Sequence, residues 1–223
     1  MNIAIDGPAG AGKSTVAKAV ASQLHYLYID TGAMYRALAW AVRQEGLPVG
    51  QEEAVTRLLQ KSEIRLERRD GVQHVFWNGR DITAEIRTPE VSQDASIVAS
   101  YPGVREQMLV LQRKLAEQGN VVMDGRDIGT HVLPDAEVKI FLTASIRERA
   151  ERRLAELKEK GHVTTLEALE AEIAERDKRD TERAAAPLRQ AADAVLVDTT
   201  GQSVEEVVEK ILQICRQTGE RSK

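Results

Sequence analysis

Residues 7–14 are the segment of this chain best suited to chemistry, and they read Gly-Pro-Ala-Gly-Ala-Gly-Lys-Ser. They fit the phosphate-binding loop pattern G-x-x-x-x-G-K-[ST] at every fixed position. The glycines at positions 7, 10 and 12 allow backbone turns that other residues resist, and they let N–H groups approach an anion. The helix expected to follow would direct its partly positive N-terminus at that anion. The sequence therefore predicts a nucleoside triphosphate site.

Two side chains of this loop have distinct expected roles. The ammonium group of Lys13 would reach the β- and γ-phosphates, and the hydroxyl of Ser14 would bind Mg²⁺. A glycine-rich turn that binds nothing is the alternative interpretation, but strand, loop, Lys-Ser and helix all fall in register. We therefore expect the phosphates to be held by Gly7, Pro8, Ala9, Gly10, Ala11, Gly12, Lys13, Ser14 and Thr15.

The elements that must position this loop alternate between strands and helices along the chain. This alternation predicts an α/β fold with a mainly parallel sheet and helices on both faces. One stretch departs from it, because period-2 patterns in Ile64–Arg68 and Val72–Trp77, followed by Asn78-Gly79, predict a small antiparallel β insert. The strands predicted for the parallel sheet are Asn2–Asp6, Leu27–Asp30, Val121–Asp124, Val138–Thr143 and Ala194–Asp198.

Four helices have recognisable N-terminal signals. Thr88-Pro89 predicts one helix start, with proline at the first helical position. The other three fit the capping box, in which a hydroxyl residue is followed three positions later by Glu. We expect the first of these helices to span Ile146–Lys160, and the second to run toward Asp180. The capping pairs are Ser145–Glu148, Thr164–Glu167 and Ser203–Glu206, and the last helix should bury Val204, Val207, Val208, Ile211 and Leu212.

Two further polar segments follow predicted strands, at the edge where open parallel sheets hold their ligands. Residues 30–36 (Asp-Thr-Gly-Ala-Met-Tyr-Arg) follow the second strand, and residues 124–127 (Asp-Gly-Arg-Asp) follow the third. A carboxylate at a strand end, such as Asp124, can order the water shell of Mg²⁺. We favour that role over a simple Asp-Gly turn because the phosphate loop already requires a metal partner.

Arginine is frequent for an acidic chain, with 21 arginines against 10 lysines. Arginine makes bidentate contacts with phosphate oxygens, whereas lysine acts as a point charge. Arg176, Arg179 and Arg183 recur at spacings of three and four, so one helix face could carry all three as part of a mobile lid. A solvent-facing helix with local ion pairs is the alternative for that segment. A solvated helix face is also the expectation for Arg149, Arg152 and Arg153.

Composition sets the broad class of protein. The 223 residues suffice for one α/β domain with an insertion. The net charge of −4 argues against a general affinity for nucleic acid. No apolar run approaches the roughly 18 residues of a membrane span, and the first strand and loop leave no space for a signal peptide. Because Cys215 is the only cysteine, internal disulfides are excluded, and we expect a soluble cytoplasmic protein.

Four segments together resemble the bacterial cytidylate (CMP) kinases, a family of nucleoside monophosphate kinases. They are residues 7–13, 30–36, 124–130 (Asp-Gly-Arg-Asp-Ile-Gly-Thr) and 176–180 (Arg-Asp-Lys-Arg-Asp). The resemblance covers nearly the whole chain, including the β insert. It implies transfer of a phosphoryl group from ATP to CMP or dCMP, with Mg²⁺. It also implies a monomer that acts on small nucleotides and binds neither nucleic acid nor membrane.

The same resemblance implies a P-loop NTPase fold with a five-stranded parallel sheet, helices on both faces, a small β insert and a helical lid. The chain would form one domain, with a core of residues 1–35, 104–150 and 190–223. The nucleoside monophosphate would be bound by a region of about 36–103 that holds the β insert. The lid would cover about 151–189.

Particular residues receive roles by the same resemblance. Among them, an acceptor such as the Asp127 carboxylate suits the exocyclic amino donor of cytosine, whereas uracil presents a carbonyl there. The substrate-binding residues would be Thr31, Tyr35, Arg36, Ser96, Arg105, Arg126, Asp127, Arg176, Asp180 and Arg183. The catalytic residues would be Lys13, Arg126, Arg176 and Arg179, and the metal residues Ser14 and, through water, Asp124.

Three other functions keep the phosphate loop but change what accompanies it. A kinase for another small acceptor, such as UMP, dephospho-coenzyme A or shikimate, would need a different acceptor site from the one around Asp127 and Asp180. A switch-type regulatory NTPase would need no second nucleotide, and the chain has no Asn-Lys-x-Asp guanine-reading motif. A nucleic-acid-dependent NTPase would need a basic surface and aromatic side chains on which bases stack. Only 4% of the residues in this chain are aromatic.

Overall fold

The computed structural model describes residues 1–221, which form two compact units. The first unit joins residues 1–28 to the chain from residue 119 onward, and the second is the continuous stretch Ile29–Gln118. The first unit is therefore assembled from two pieces of sequence that are far apart. The finer division predicted above, with a lid over residues 151–189, stays a prediction.

A five-stranded sheet forms the framework of the phosphate loop. Its strands are β1 (Ile3–Asp6), β2 (Leu27–Asp30), β6 (Val121–Gly125), β7 (Val138–Thr143) and β8 (Val195–Asp198), in the order β2-β6-β1-β7-β8. Strand β1 pairs in parallel with both β6 and β7, and β7 pairs in parallel with β8. The predicted α/β fold and all five predicted strands are confirmed. Because β1 lies at the centre, the loop that follows it starts from a strand that is buried at every position.

The helices of the first unit are α1 (Lys13–Leu24), α6 (Ile146–Glu159), α7 (Leu166–Glu182) and α8 (Val204–Arg221). Apolar side chains of α1 and α8 pack with those of β1 and β7 in one core, which also buries Cys215. Burial raises the pKa of the Cys215 thiol to about 11, so it stays protonated and serves as a packed side chain. Helices α6 and α7 bury a smaller cluster of their own, made of Ala150, Leu157, Leu169 and Ile173.

The second unit combines helices with a three-stranded antiparallel sheet of β3 (Ile64–Arg69), β4 (Val72–Trp77) and β5 (Arg80–Asp81). The predicted β insert is thus confirmed, with Asp70-Gly71 turning β3 into β4 and Asn78-Gly79 turning β4 into β5. Positive φ angles at all four turn residues explain these residue types. The helices of this unit are α2 (Thr31–Gln44), α3 (Glu52–Gln60), α4 (Pro89–Val98) and α5 (Pro102–Ala116).

Helix starts agree with the sequence in part. The Thr88 hydroxyl caps α4 as predicted. Ser203 and Glu206 form the complete reciprocal box, since each side chain accepts a hydrogen bond from the other's backbone N–H. Ser145 caps α6, but Glu148 accepts from Gly201 and Arg152 instead of from Ser145.

Two details of the helix predictions are wrong. Helix α7 is capped by Thr165, which accepts from Ala168, so the predicted start at Thr164 is one residue early. The two threonines are adjacent, and spacing to Glu167 alone could not choose between them. In α8 the buried stripe holds Val207, Val208, Ile211 and Leu212, while Val204 is exposed. None of the helices between residues 1 and 221 has the length and apolar character that crossing a bilayer requires.

Candidate functional site

The phosphate loop runs from the end of β1 to the start of α1, as the motif predicts. Gly7 has a φ of 151°, and a Cβ there would lie 2.1 Å from the carbonyl oxygen of Leu142 in β7. Only glycine fits this approach of loop to sheet. Gly10 and Gly12 also have positive φ angles, of 77° and 86°. The loop is therefore held in one shape by close packing as well as by backbone conformation.

Lys13 is buried within this loop. Its Nζ donates to the carbonyl of Pro8 at 2.8 Å, so the ammonium group folds back over the loop that it serves. Desolvation by burial, followed by the nearby positive charge of Arg126, lowers the pKa of Lys13 well below its ordinary value. A polyanion at this loop would oppose this lowering of the Lys13 pKa, because its negative charge would stabilise the ammonium form. The arrangement suits a phosphate ligand.

Two side chains with oxygen atoms that could hold a divalent cation lie beside the loop. One carboxylate oxygen of Asp124, at the end of β6, accepts from the Ser14 hydroxyl at 2.9 Å. The other accepts from the Tyr28 hydroxyl, also at 2.9 Å. A buried carboxylate beside a hydroxyl is the oxygen donor set that Mg²⁺ prefers, with water completing its shell. The two residues predicted to serve the metal are thus in contact, and among residues 1–221 no cluster of three or more His, Cys, Asp or Glu side chains offers another such site.

A second group of charged side chains in the same unit surrounds Asp180 of α7. Its carboxylate accepts from Nε of Arg126 at 2.8 Å and lies 3.9 Å from Arg183. Burial alone would raise the pKa of Asp180, but Arg126 and Arg176 hold it below its ordinary value. Arg183 also lies 3.9 Å from the buried Asp127. Four predicted substrate residues are therefore brought together: Arg126, Asp127, Asp180 and Arg183.

The other two predicted lid arginines differ in setting. Arg179 pairs with Glu175 one turn earlier on α7, at 2.9 Å and in solvent. Arg176 influences both Lys13 and Asp180 through its charge. The prediction that one helix face carries all three arginines is wrong for Arg183, which follows the last turn of α7 with an extended ψ of 142°. Its guanidinium instead binds the carbonyl of Ala186.

The remaining predicted substrate residues lie in the second unit. Thr31 is buried at the start of α2, whose N-cap Asp30 accepts from Ala33 and from Arg36. Tyr35 presents its ring to the guanidinium of Arg105, with 5.4 Å from Cζ to the ring centroid. Arg105 also donates to the carbonyl of Ala99 at 3.0 Å. These contacts join Tyr35 and Arg105 within one unit, and Ser96 is buried in α4.

Arg149 was wrongly expected on a solvated face, since it is 3% exposed at the start of α6. Its guanidinium donates to the carbonyl of Ala9 in the phosphate loop and to that of Ala144. It also makes a bidentate pair with Asp177 of α7, at 2.6 and 3.0 Å. Arg149 thus ties the loop to α7. Arg149 differs from its neighbours because it lies in the first turn of α6, within reach of the Ala9 carbonyl in the phosphate loop. The spacing of residues in the sequence does not reveal this proximity.

Comparison with known proteins identifies related sequences along nearly the whole chain. The family model described as cytidylate kinase matches residues 3–217. A cytidylate kinase of Shouchella clausii is 57% identical over 216 residues, covering 97% of this chain and 96% of that protein. A cytidylate kinase of Bacillus cereus is 55% identical over 214 residues, covering 96% and 95%. The match covers nearly the full length of both relatives.

Solved structures agree on the fold. A gluconokinase from Sinorhizobium meliloti superposes with a TM-score of 0.50 at 18% identity, covering 99% of this chain and 95% of that one. An uncharacterized protein from Eubacterium ventriosum gives 0.52 at 15% identity, covering 97% and 98%. At such identities the likeness concerns the fold alone.

Proposed function

The chain belongs to the cytidylate kinase family, and on this premise we propose that it transfers the γ-phosphoryl group of ATP to CMP, giving ADP and CDP. We extend the proposal to dCMP as a second acceptor. The observation that carries it is the pairing, within one unit, of a complete phosphate loop with the charged group of Arg126, Asp127, Asp180 and Arg183. A phosphate loop alone would support any NTPase, whereas the second group supplies an acceptor site.

ATP would occupy the phosphate loop over residues 7–15. Lys13, whose Nζ donates to the Pro8 carbonyl in the structure, would bind the β- and γ-phosphates. Ser14 and, through water, Asp124 would hold Mg²⁺, which when bound neutralises charge on the transferring phosphates. The Tyr28 hydroxyl would keep the Asp124 carboxylate oriented toward Ser14.

The acceptor roles in the first unit follow the chemistry of each side chain. The Asp127 carboxylate would accept from the exocyclic amino group of cytosine. Arg126 and Arg183 would bind the α-phosphate of CMP, as arginine suits bidentate phosphate contacts. Arg176 and Asp180 would hold the ribose hydroxyls. The contact between Arg126 and Asp180 supports this assignment, because it prearranges a cation beside an acceptor.

In the second unit the assigned roles rest on the family resemblance together with burial. Ser96 and Arg105 would read the cytosine, and Arg36 would bind the α-phosphate with Tyr35 beside it. Thr31 would offer its hydroxyl to the nucleotide. The stacking of Arg105 on Tyr35 supports its role, because it fixes the guanidinium that would donate to the acceptor edge of cytosine.

Catalysis would need no strong general base, because the attacking group is already a phosphate oxyanion. The rate would come from holding two polyanions in line and reducing their repulsion. Lys13, Arg126, Arg176 and Arg179 would supply that positive charge, with closure of the region around α7 excluding water. We also propose that the protein is a monomer in the cytoplasm, and light scattering would test the monomeric state.

The experiment that tests this function offers several acceptors in parallel. ADP production from ATP and Mg²⁺ would be measured with CMP, dCMP, UMP, AMP, GMP and no acceptor. A Lys13→Met variant serves as the control for turnover from this loop. We expect strong turnover with CMP and dCMP only. ADP formation that ignores the acceptor would contradict the proposal and leave an NTPase.

A further inference from the structure

Asp6 is the last residue of β1, and its carboxylate faces the backbone that follows Asp127. It is 4% exposed. One carboxylate oxygen accepts from the N–H of Ile128 at 2.8 Å, and the other accepts from the N–H of Gly129 at 2.7 Å. Both distances are typical of charge-assisted bonds to a carboxylate. The roles assigned above make no use of this side chain.

The two donors belong to a π-helical turn, Ile128–Val132, which begins directly after Asp127. Aspartate in that N-terminal position usually caps the turn with its own carboxylate. Here the Asp127 side chain makes no capping hydrogen bond, and Asp6 receives the first two N–H groups instead. The Asp127 carbonyl accepts from His131 and Val132, which fixes the backbone from the other side. Asp6 therefore caps this turn in place of Asp127.

We propose that Asp6 is a positioning residue for base selection: its carboxylate fixes the backbone of residues 127–129 and so holds the Asp127 carboxylate for a cytosine amino group. The inference rests on the proposed function, which gives Asp127 the task of reading the base. A shift of this backbone by a fraction of an ångström would move the acceptor away from the amino group. The expected loss is therefore one of discrimination more than of ATP binding.

The surroundings of Asp6 make its two hydrogen bonds important for keeping it charged. The charged groups that act on it are Asp127 and Lys13, and the Lys139 side chain, like Asp6, lies close to Gly129. A Cβ at Gly129 would lie 3.2 Å from Cδ of Lys139 and 3.4 Å from an Asp6 oxygen. There is therefore little room for a side chain at residue 129. The Lys139 ammonium binds Asp193 and the Pro134 carbonyl rather than Asp6.

Burial raises the pKa of Asp6 to about 7, while the two N–H groups and Lys13 oppose the rise and Asp127 adds to it. When the Asp6 carboxyl is protonated, one of its oxygens can still accept a hydrogen bond. The other carries a proton and so faces a backbone N–H with a second donor. The anchoring of residues 127–129 should therefore weaken as the pH falls through about 7. The anchored state belongs to the pH range above that value.

The first test is an Asp6→Asn variant of the full chain, with Asp198→Asn as the matched control. Asp198 also ends a strand and accepts a backbone N–H, that of Thr200, but it has no link to Asp127. We expect Asp6→Asn to raise KM for CMP about tenfold, the order of one lost charged hydrogen bond. The ratio of kcat/KM for CMP to that for UMP should fall by a similar factor, with KM for ATP changed far less. The control should leave the ratio unchanged.

A second measurement needs no variant, and it decides the question if Asp6→Asn does not fold. The CMP-to-UMP ratio of the wild-type protein would be followed from about pH 8.5 down to about pH 6, around the Asp6 transition. Both acceptors carry the same phosphate, so its own titration cancels in the ratio. We expect the ratio to fall below about pH 7.

Several results would overturn the inference. One is a ratio that stays constant in both experiments, and another is an Asp6→Asn variant whose KM values for CMP and ATP rise equally. Either would make Asp6 part of the general framework of β1. Failure of the proposed function is a separate result, because the wild-type protein would then show no CMP-dependent turnover before any variant is made.

Discussion

Ion pairs in two regions of this molecule use the same residue types in opposite ways. In the first unit, Arg149 of α6 pairs with Asp177 of α7, and Arg126, which follows β6, pairs with Asp180 of α7; both pairs are largely withdrawn from water. In the β3–β5 sheet and its following turn, pairs such as Arg80 with Glu85 are exposed, at 62% and 39% of their side-chain surfaces. A surface pair contributes little, whereas breaking a buried one leaves a charge without compensation. Burial therefore separates the two sets of ion pairs, and Arg126 in the buried set is an arginine that we propose binds substrate.

The sharpest way to break the comparison is Arg126→Met, matched by Arg80→Met. Arg126 is proposed to bind the α-phosphate, and it already holds Asp180. We expect kcat/KM for CMP to fall by roughly 10³-fold or more, as for other arginines that stabilise transferring phosphates. Steady-state kinetics would measure both variants. Comparable losses in the two would remove the distinction between the regions.

A double-mutant cycle on Arg149→Lys and Asp177→Asn sharpens the same comparison. Each single change should cost about 2–4 kcal/mol of unfolding free energy, because it leaves part of a buried charge pair unmatched. The coupling energy should be about 1 kcal/mol or more. KM for ATP should rise in Arg149→Lys, since the Ala9 carbonyl loses its donor. Urea unfolding supplies the free energies, and additive effects would contradict the link from loop to α7.

Asp6 gives a smaller effect that depends on pH. Its pKa is about 7 in the folded protein and 3.8 as a free group, so folding favours the protonated form. Stability from this group is therefore greatest at low pH and is lost as pH rises through about 7. The unfolding free energy of the wild-type protein relative to Asp6→Asn should rise by up to about 1.4 kcal/mol per unit as pH falls below 7. A difference independent of pH would mean that Asp6 is charged throughout.

The smallest expected effect tests the exposed side of the comparison. Glu85→Ala removes the partner of Arg80, which also lies over the Trp40 ring at 5.2 Å. We expect less than about 0.5 kcal/mol in stability and no change in turnover. Urea unfolding and the acceptor assay would measure both. A loss of unfolding free energy above about 1 kcal/mol would show that the exposed pairs contribute as much as the buried ones.

Sequence reasoning predicted the framework well because its signals are local. The five strands, the β insert and the phosphate loop each follow from short runs of residue types, and so does the complete cap at Ser203 and Glu206. The capping box predicted at Ser145 failed because of a contact distant in sequence. Glu148 accepts from Gly201, 53 residues away, instead of completing its own box.

The candidate site divides in the same way. Ser14 and Asp124 were paired through the motif, and the structure places them in hydrogen-bond contact. The role of Arg149 was missed because its hydrogen-bond partners, two carbonyl groups and one carboxylate, come from three separate segments of the chain. Asp6 was missed because it looked like the polar end of a strand. Its partners, Ile128 and Gly129, are more than 120 residues away.

The central position of β1 has a consequence for how the chain is made. Its two neighbours, β6 and β7, end at Gly125 and Thr143, so β1 has no partner strand until most of the protein exists. At about 5–20 residues per second, synthesis from the end of β1 to the end of β6 would leave β1 without a partner strand for roughly 6–24 s. The continuous stretch Ile29–Gln118 faces no such delay. We expect this stretch to fold first on the ribosome. Until its partner strands are made, β1 depends on chaperones or on its short length to avoid association with other chains.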